Sequence, residues 1–340
     1  MAAKKRPSRS ANSTKPEKKS KTPRGGKPVA KSKARPLAAR LPEAARLQAE
    51  LRESIDHDIS DRIGTHQREI VRLRAAMAAR PEAKPPLMIL AHGDSWFDYP
   101  LNGNKVELPI RHTDIIAHLR KMGSPPPRIL NLSHFGDATM DEMGLEKQKR
   151  LIKALNNTNN WLNGKPDAIL FSGGGNDIAG DPFCIYLDYK NAASHTPGLN
   201  SERFAGRLAS VRSSYLDLFA FRDHYAAGVP IFGHAYDLAR PIPSPHPPCT
   251  GPWMWPGLSF TGWNIAEGTQ IIHDALYAFR DMLAKLERSD RPPYKFKVIP
   301  TQGTLTDADW ANELHPYPPG FQMLADKFLT ALRSHFPGRT

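Results

Sequence analysis

Cysteine is nearly absent from these 340 residues: Cys184 and Cys249 are the two, and they form no CxxC. That excludes a disulfide framework and a thiolate zinc site, and it makes a reducing cytoplasm the expected compartment. No apolar run reaches the roughly 18 residues a spanning helix needs. The first residues also lack the apolar stretch of a secretory signal. Acid is almost missing from residues 1–36, where 13 Lys and Arg face only Glu17, and the same stretch has no aromatic residue. Such a segment buries too little surface to offset its ordering entropy, so 1–36 reads as a disordered basic tail. The tail holds +12 of the chain's +13, so the remaining residues are close to neutral. Weak, non-specific binding of nucleic acid or an anionic surface by counterion release is the partner expected of it, with a solubilising arm as the alternative.

Beyond the tail the chain is patterned. Leu47, Leu51, Ile55, Ile59, Ile63, Ile70, Leu73 and Met77 recur mostly every fourth residue, an amphipathic helix over 42–78 within a helical segment 37–84. Gly64 is a candidate break in it, and packing in cis is expected over pairing with a second copy, because a steady four-residue step drifts around the helix. From 85 to 340, apolar runs at 87–92, 129–133, 168–172, 229–234 and 295–299 alternate with helical patterns near 109–122, 139–155, 202–227, 265–288 and 319–335. Alternation of this kind predicts right-handed βαβ units. The expected fold is a flavodoxin-like three-layer α/β/α sandwich on a five-stranded parallel sheet, order 2-1-3-4-5.

Residues 240–264 break the rhythm, with prolines that prevent regular structure and a cluster of three tryptophans. The stretch reads as an ordered lid, with Trp253, Trp255 and Trp263 as walls of a substrate pocket; a surface loop folded on its own aromatics is the alternative.

Three predicted strands end in loops of unusual composition. "AHGDSWFDYP" places Gly93-Asp94-Ser95 after the first, Ser133-His134-Phe135-Gly136-Asp137 comes after the second, and Gly173-Gly174-Gly175-Asn176-Asp177 after the third. All three lie at carboxyl ends of a parallel sheet, where open α/β folds bind ligands. Near the C-terminus, "DWANELHPYPPGF" holds His315 between the last strand and the last helix. Acyl transfer needs a nucleophile, a base and an oxyanion hole. Ser95 can attack and His315 can take its proton. The N–H groups of Ser95 and Gly136 and the amide of Asn176 can donate to the oxyanion, beside glycines that let backbone approach a ligand.

Gly93-Asp94-Ser95, Gly136, Gly174-Gly175-Asn176-Asp177 and His315 resemble, in order and region, the four blocks of the SGNH or GDSL hydrolases. The resemblance spans roughly residues 87–336. It implies an esterase, lipase, thioesterase or carbohydrate deacetylase that cleaves a small-molecule carboxylic ester through a Ser95 acyl-enzyme, with no cofactor and no metal. The family's last block is Asp-x-x-His, and here Asn312 stands in the place of the Asp. An Asn oxygen can accept from imidazole but brings no negative charge. Asn312 as a neutral partner, a carboxylate from Asp309 or Glu313, and a bare Ser-His dyad all remain open. A dyad assisted by Asn312 or Asp309 is the preferred expectation.

Other polar residues have plainer readings. His92 reads as a packed strand-end residue, Asp94 and Asp177 as braces that accept backbone N–H bonds, and His234 with Asp237 as pocket lining or structure. Two further functions stand beside the hydrolase: a nucleic-acid-associated protein working through its tail, and a catalytically silent binding module on the same fold.

Overall fold

The computed structural model describes residues 37–99, 114–191, 197–244, 251–289 and 295–339. The basic tail, with the binding expected of it, and Cys249 lie outside the described residues. The chain divides into two compact units, Met1–Glu53 and Ser54–Thr340. The first contributes the start of helix α1 (Leu37–Ala79), where Arg46 and Glu50 pair at 3.3 Å one turn apart. The helix runs through Gly64 without the break that glycine suggested. In the second unit, Ile59 and Ile70 are buried in the hydrophobic core, with Ile55, Ile63 and Leu73 packed against it. Among the described residues no helix is long and apolar enough to cross a membrane.

Strands β1 (Met88–Gly93), β2 (Arg128–Asn131), β3 (Ala168–Ser172), β4 (Ile231–His234) and β5 (Phe296–Ile299) form one parallel sheet. Their order is β2-β1-β3-β4-β5, the three-layer arrangement expected from the sequence. Central strands β1, β3 and β4 are buried at every position, as unalternating apolar runs require. Strand β5, at the sheet edge, exposes Lys297.

The helices are α2 (Ile115–Leu119), α3 (Thr139–Glu142), α4 (Leu145–Asn156), α5 (Gly175–Ile178), α6 (Ser201–Tyr225), α7 (Trp255–Phe260), α8 (Ile265–Glu287) and α9 (Pro318–His335). The register assigns them to faces. Leu170 pairs with Phe232, so Phe171 lies level with Gly233 on the opposite face of the sheet. Phe171 and Phe296 meet Tyr215 of α6, with ring centroids 5.0 and 5.7 Å apart, while Phe232 meets His335 of α9 at 5.5 Å. Helices α6 and α9 therefore cover opposite faces.

Three helical expectations need correction. The described part of the predicted 109–122 helix is only the five-residue α2, followed by Gly123 at φ 91°. The predicted 139–155 helix is two, because Gly144 is extended, at φ −67° and ψ 153°, where α3 gives way to α4. The 240–264 stretch contains regular structure after all, since α7 forms with a proline in its first turn.

Candidate active site

Strand β1 delivers Ser95. Gly93 has φ 144°, and a Cβ there would stand 2.2 Å from the Ser172 carbonyl oxygen on β3, so only glycine lets the two strand ends close. Asp94 N–H donates to that same carbonyl at 2.9 Å, and the chain then turns, with Phe97 and Asp98 N–H both donating to the Asp94 carbonyl at 3.1 Å. The Asp94 carboxylate accepts from Trp96 N–H (3.0 Å), Ser172 Oγ–H (2.6 Å) and Tyr236 O–H (2.6 Å). Asp94 is thus the brace its position suggested. Burial pushes its carboxyl up to about 6, against the pull of these three donors. Behind it, His234 accepts from Tyr236 N–H at Nδ1 (3.1 Å) and so donates from Nε2 to Ser172 Oγ (2.9 Å). Burial lowers His234 to about 3, so this chain of hydrogen bonds runs from a neutral imidazole.

His315 arrives from the other side. Its Nε2 lies 2.7 Å from Ser95 Oγ, and its Nδ1 lies 3.1 Å from Asn312 Oδ1. The same Oδ1 accepts from Leu314 N–H (2.9 Å) and His315 N–H (2.8 Å), which identifies it as the amide oxygen. The imidazole proton therefore sits on Nδ1, leaving the Nε2 lone pair for the Ser95 hydroxyl. Burial holds His315 down at about 3. Tyr99 lies against the ring at a centroid distance of 4.5 Å, and Trp96 Nε1–H donates to the Leu314 carbonyl at 2.9 Å, joining the serine turn to the histidine loop.

The two alternative carboxylates are engaged elsewhere. Asp309 accepts from Thr306 N–H and Oγ–H, both at 2.7 Å, which hold its carboxyl below the usual range; it closes a cap and does not orient His315. Glu313 is fully buried, and its carboxylate accepts from the backbone N–H groups of Ile242 (3.1 Å), Met254 (2.8 Å), Trp255 (2.9 Å) and Trp253. Asp237 performs the same service for the loop after β5, accepting from Gly303, Thr304 and Leu305 N–H at 2.5, 3.0 and 2.7 Å.

The two side-loop donors differ in placement. Asn176 reaches the site and is tied to the loop after β2 by a 2.9 Å bond from Nδ2 to the Asp137 carbonyl. Gly136, at φ 82°, stands on the exposed rim of that loop. Asp177 braces the two loops by accepting from Thr139 N–H (2.8 Å) and Oγ–H (3.0 Å).

Ser95, Asn176 and His315 open onto a small cavity whose apolar part is built by Ile178, Phe183, Met254, Ile272, Ala275 and Leu276. The three tryptophans expected as its walls do not line it; Trp96 and Trp310 do. Trp263 is buried with its Nε1–H on the Asp188 carbonyl (2.9 Å), and Trp253 packs edge-on to His315 at 5.9 Å. Residues 245–250 of the 240–264 stretch lie outside the described residues; of the three tryptophans in the described part, Trp253 touches His315 but none lines the cavity. Tyr236, at φ 58°, was missed; a Cβ on Gly175 would lie 2.8 Å from its ring, a tertiary approach that periodicity does not reveal.

The chain is similar to solved lipases and esterases, a GDSL-like lipase among them. A lipase from a goat rumen metagenome is 16% identical over 72% of this chain and 97% of its own, with TM-score 0.46. An extracellular lipase from Streptomyces rimosus is 14% identical over 72% and 98%, with TM-score 0.45. A protein assigned as a GDSL-like lipase, from Parabacteroides merdae, is 14% identical over 74% and 97%, with TM-score 0.41. No family model matches the chain, and no curated protein matches it.

Proposed function

We propose that this protein is a serine hydrolase that cleaves a small carboxylic ester through an acyl-enzyme on Ser95. The observation that carries the reading is the 2.7 Å contact between Ser95 Oγ and His315 Nε2, with the proton of that imidazole held on the far nitrogen by Asn312. Ser95 Oγ attacks the ester carbonyl as His315 takes its proton, and the carbonyl π electrons move to oxygen. Ser95 N–H, Gly136 N–H and the second proton of Asn176 Nδ2 are the donors for that oxyanion. Collapse expels the alkoxide, which leaves as alcohol with the proton from His315. Water, deprotonated by the same imidazole, then attacks the acyl-enzyme, and the carboxylic acid and free Ser95 are returned.

The third member of the set is neutral. Asn312 fixes tautomer and ring orientation, and it meets the imidazolium with an amide dipole in place of a full charge. The deciding experiment is labelling of the full chain with a fluorophosphonate probe, located by peptide mass, beside Ser95→Ala. Modification of Ser95 that the substitution abolishes is the expected result. A folded protein that leaves Ser95 unmodified overturns the reading.

A further inference from the structure

The cavity beside Ser95 has a volume of about 40 Å³. A cavity that holds a benzene ring measures about 150 Å³, so this space takes a group much smaller than a six-carbon ring. Its mouth is polar, at Ser95, His315 and Asn176, and the rest of the wall is apolar, so an acyl group fits with its carbonyl at the mouth and its alkyl end inward.

The walls are fixed. Ile272, Ala275 and Leu276 belong to α8, are almost completely buried, and sit in the core cluster. That helix begins with a reciprocal cap between Asn264 and Glu267, and Lys190 holds Glu267 at 2.6 Å. Met254 is buried opposite, and its backbone N–H is one of the four gathered by Glu313. Glu313 directly follows Asn312, so the wall at Met254 and the loop that orients His315 are one hydrogen-bonded assembly. The Met254 backbone cannot withdraw without breaking an amide bond to a buried carboxylate, so a longer chain has only the Met254 side chain to displace.

We propose that the site is selective for short acyl groups, about two to four carbons, and that Met254, held by Glu313, sets the limit. This rests on the hydrolase reading above, and the test separates the two. The full chain is assayed on para-nitrophenyl acetate, butyrate and octanoate, with fluorophosphonate labelling of Ser95 measured on the same preparation. Expected is a fall in kcat/KM of about 100-fold or more from acetate to octanoate, the scale at which an apolar pocket discriminates chain length. Met254→Ala is expected to raise the octanoate-to-acetate ratio at least about tenfold. Ala275→Val, which fills the cavity instead, is expected to depress butyrate more than acetate. A labelled Ser95 with octanoate turned over as well as acetate overturns the size limit and leaves the hydrolase standing. Absence of both labelling and hydrolysis overturns both. The unmodified protein's own profile decides the matter even where Met254→Ala fails to fold.

Discussion

Ser95 stands one residue past Asp94 on a turn that grows directly out of β1, whereas His315 stands on an irregular loop that returns from β5 toward α9. The serine side inherits its position from the sheet: Gly93 closes against β3, and a buried carboxylate collects one backbone and two side-chain donors around it. The histidine side has no strand beneath it, and its order comes from amides folded onto two adjacent side chains, Asn312 inward and Glu313 outward. A rigid scaffold positions one half of the Ser95–His315 pair, while the other half needs a dedicated set of buried acceptors. The difference also separates charge from orientation. Asn312 occupies the place where a carboxylate would stabilise an imidazolium, yet the full charge next to it, Glu313, is used to organise chain.

The largest effect expected from either side is chemical. Ser95→Ala should lower kcat by about 10⁴-fold or more while leaving the unfolding midpoint nearly unchanged, as loss of a nucleophile does in other acyl-transfer sites. Next comes the histidine side's own support. Glu313→Ala strips the acceptor from four backbone N–H groups, each worth about 1–3 kcal/mol when buried and unpaired. Denaturant unfolding should show a loss of at least about 3 kcal/mol, and a loss confined to activity would mean that the loop is held by something else.

Asn312 gives two smaller and opposite results. Asn312→Ala should reduce kcat/KM by about 10–100-fold, the equivalent of one or two unpaired donors. Asn312→Asp sharpens the contrast between orientation and charge. A carboxylate beside Nδ1 favours the protonated ring and so raises the His315 pKa from about 3. Because the base must be neutral, the acid limb of kcat/KM should move to higher pH in the variant, and the plateau should rise. In the unsubstituted protein that limb lies below the ordinary histidine range. A pH–rate profile of the two proteins checks both statements.

The smallest effect concerns a group on neither side. Glu142 is fully buried beneath Gly173, and burial, with Asp94, Asp177 and Asp137 nearby and only Lys147 opposing, raises its carboxyl well above the usual range. A carboxyl with a raised folded-state pKa favours the fold below its unfolded value, and that contribution is lost as pH rises through the folded value. Glu142→Gln should therefore flatten the decline of Tm between mildly acidic and alkaline pH. An unchanged slope would show that the group does not titrate with unfolding.

Much of the scaffold was legible in the chain, for reasons that name themselves. Unalternating runs such as Ile169-Leu170-Phe171 mean strands covered on both faces, and glycine with Asp or Asn after each run marks the loops that meet at one sheet edge. Asn312 came into view through the resemblance to an Asp-x-x-His block and stayed one of three open readings; the structure adds its 3.1 Å contact with His315 Nδ1. The partners were not legible. Periodicity tells which face of an element is apolar, but not which tryptophan of a cluster turns inward, so Trp253, Trp255 and Trp263 were placed on a wall that Met254 occupies. Charge at the right offset was likewise ambiguous. Asp309 and Glu313 both stood near His315 in sequence, and only the backbone amides around them show where each carboxylate goes.

Arg62 bears on where the working part of this protein begins. From α1 it reaches Asp98 at 2.9 Å and the Ser133 carbonyl at 3.2 Å, and so touches the loops after β1 and β2 together. Asp98 is almost completely buried in the serine turn. A shortened chain starting at Leu87, where the alternating pattern starts, would keep every strand, Ser95 and His315 and yet lose the side chain that ties these two loops together. Helix α1, through Arg62 and its second partner Asp58, is thus a brace on the turn that carries Ser95.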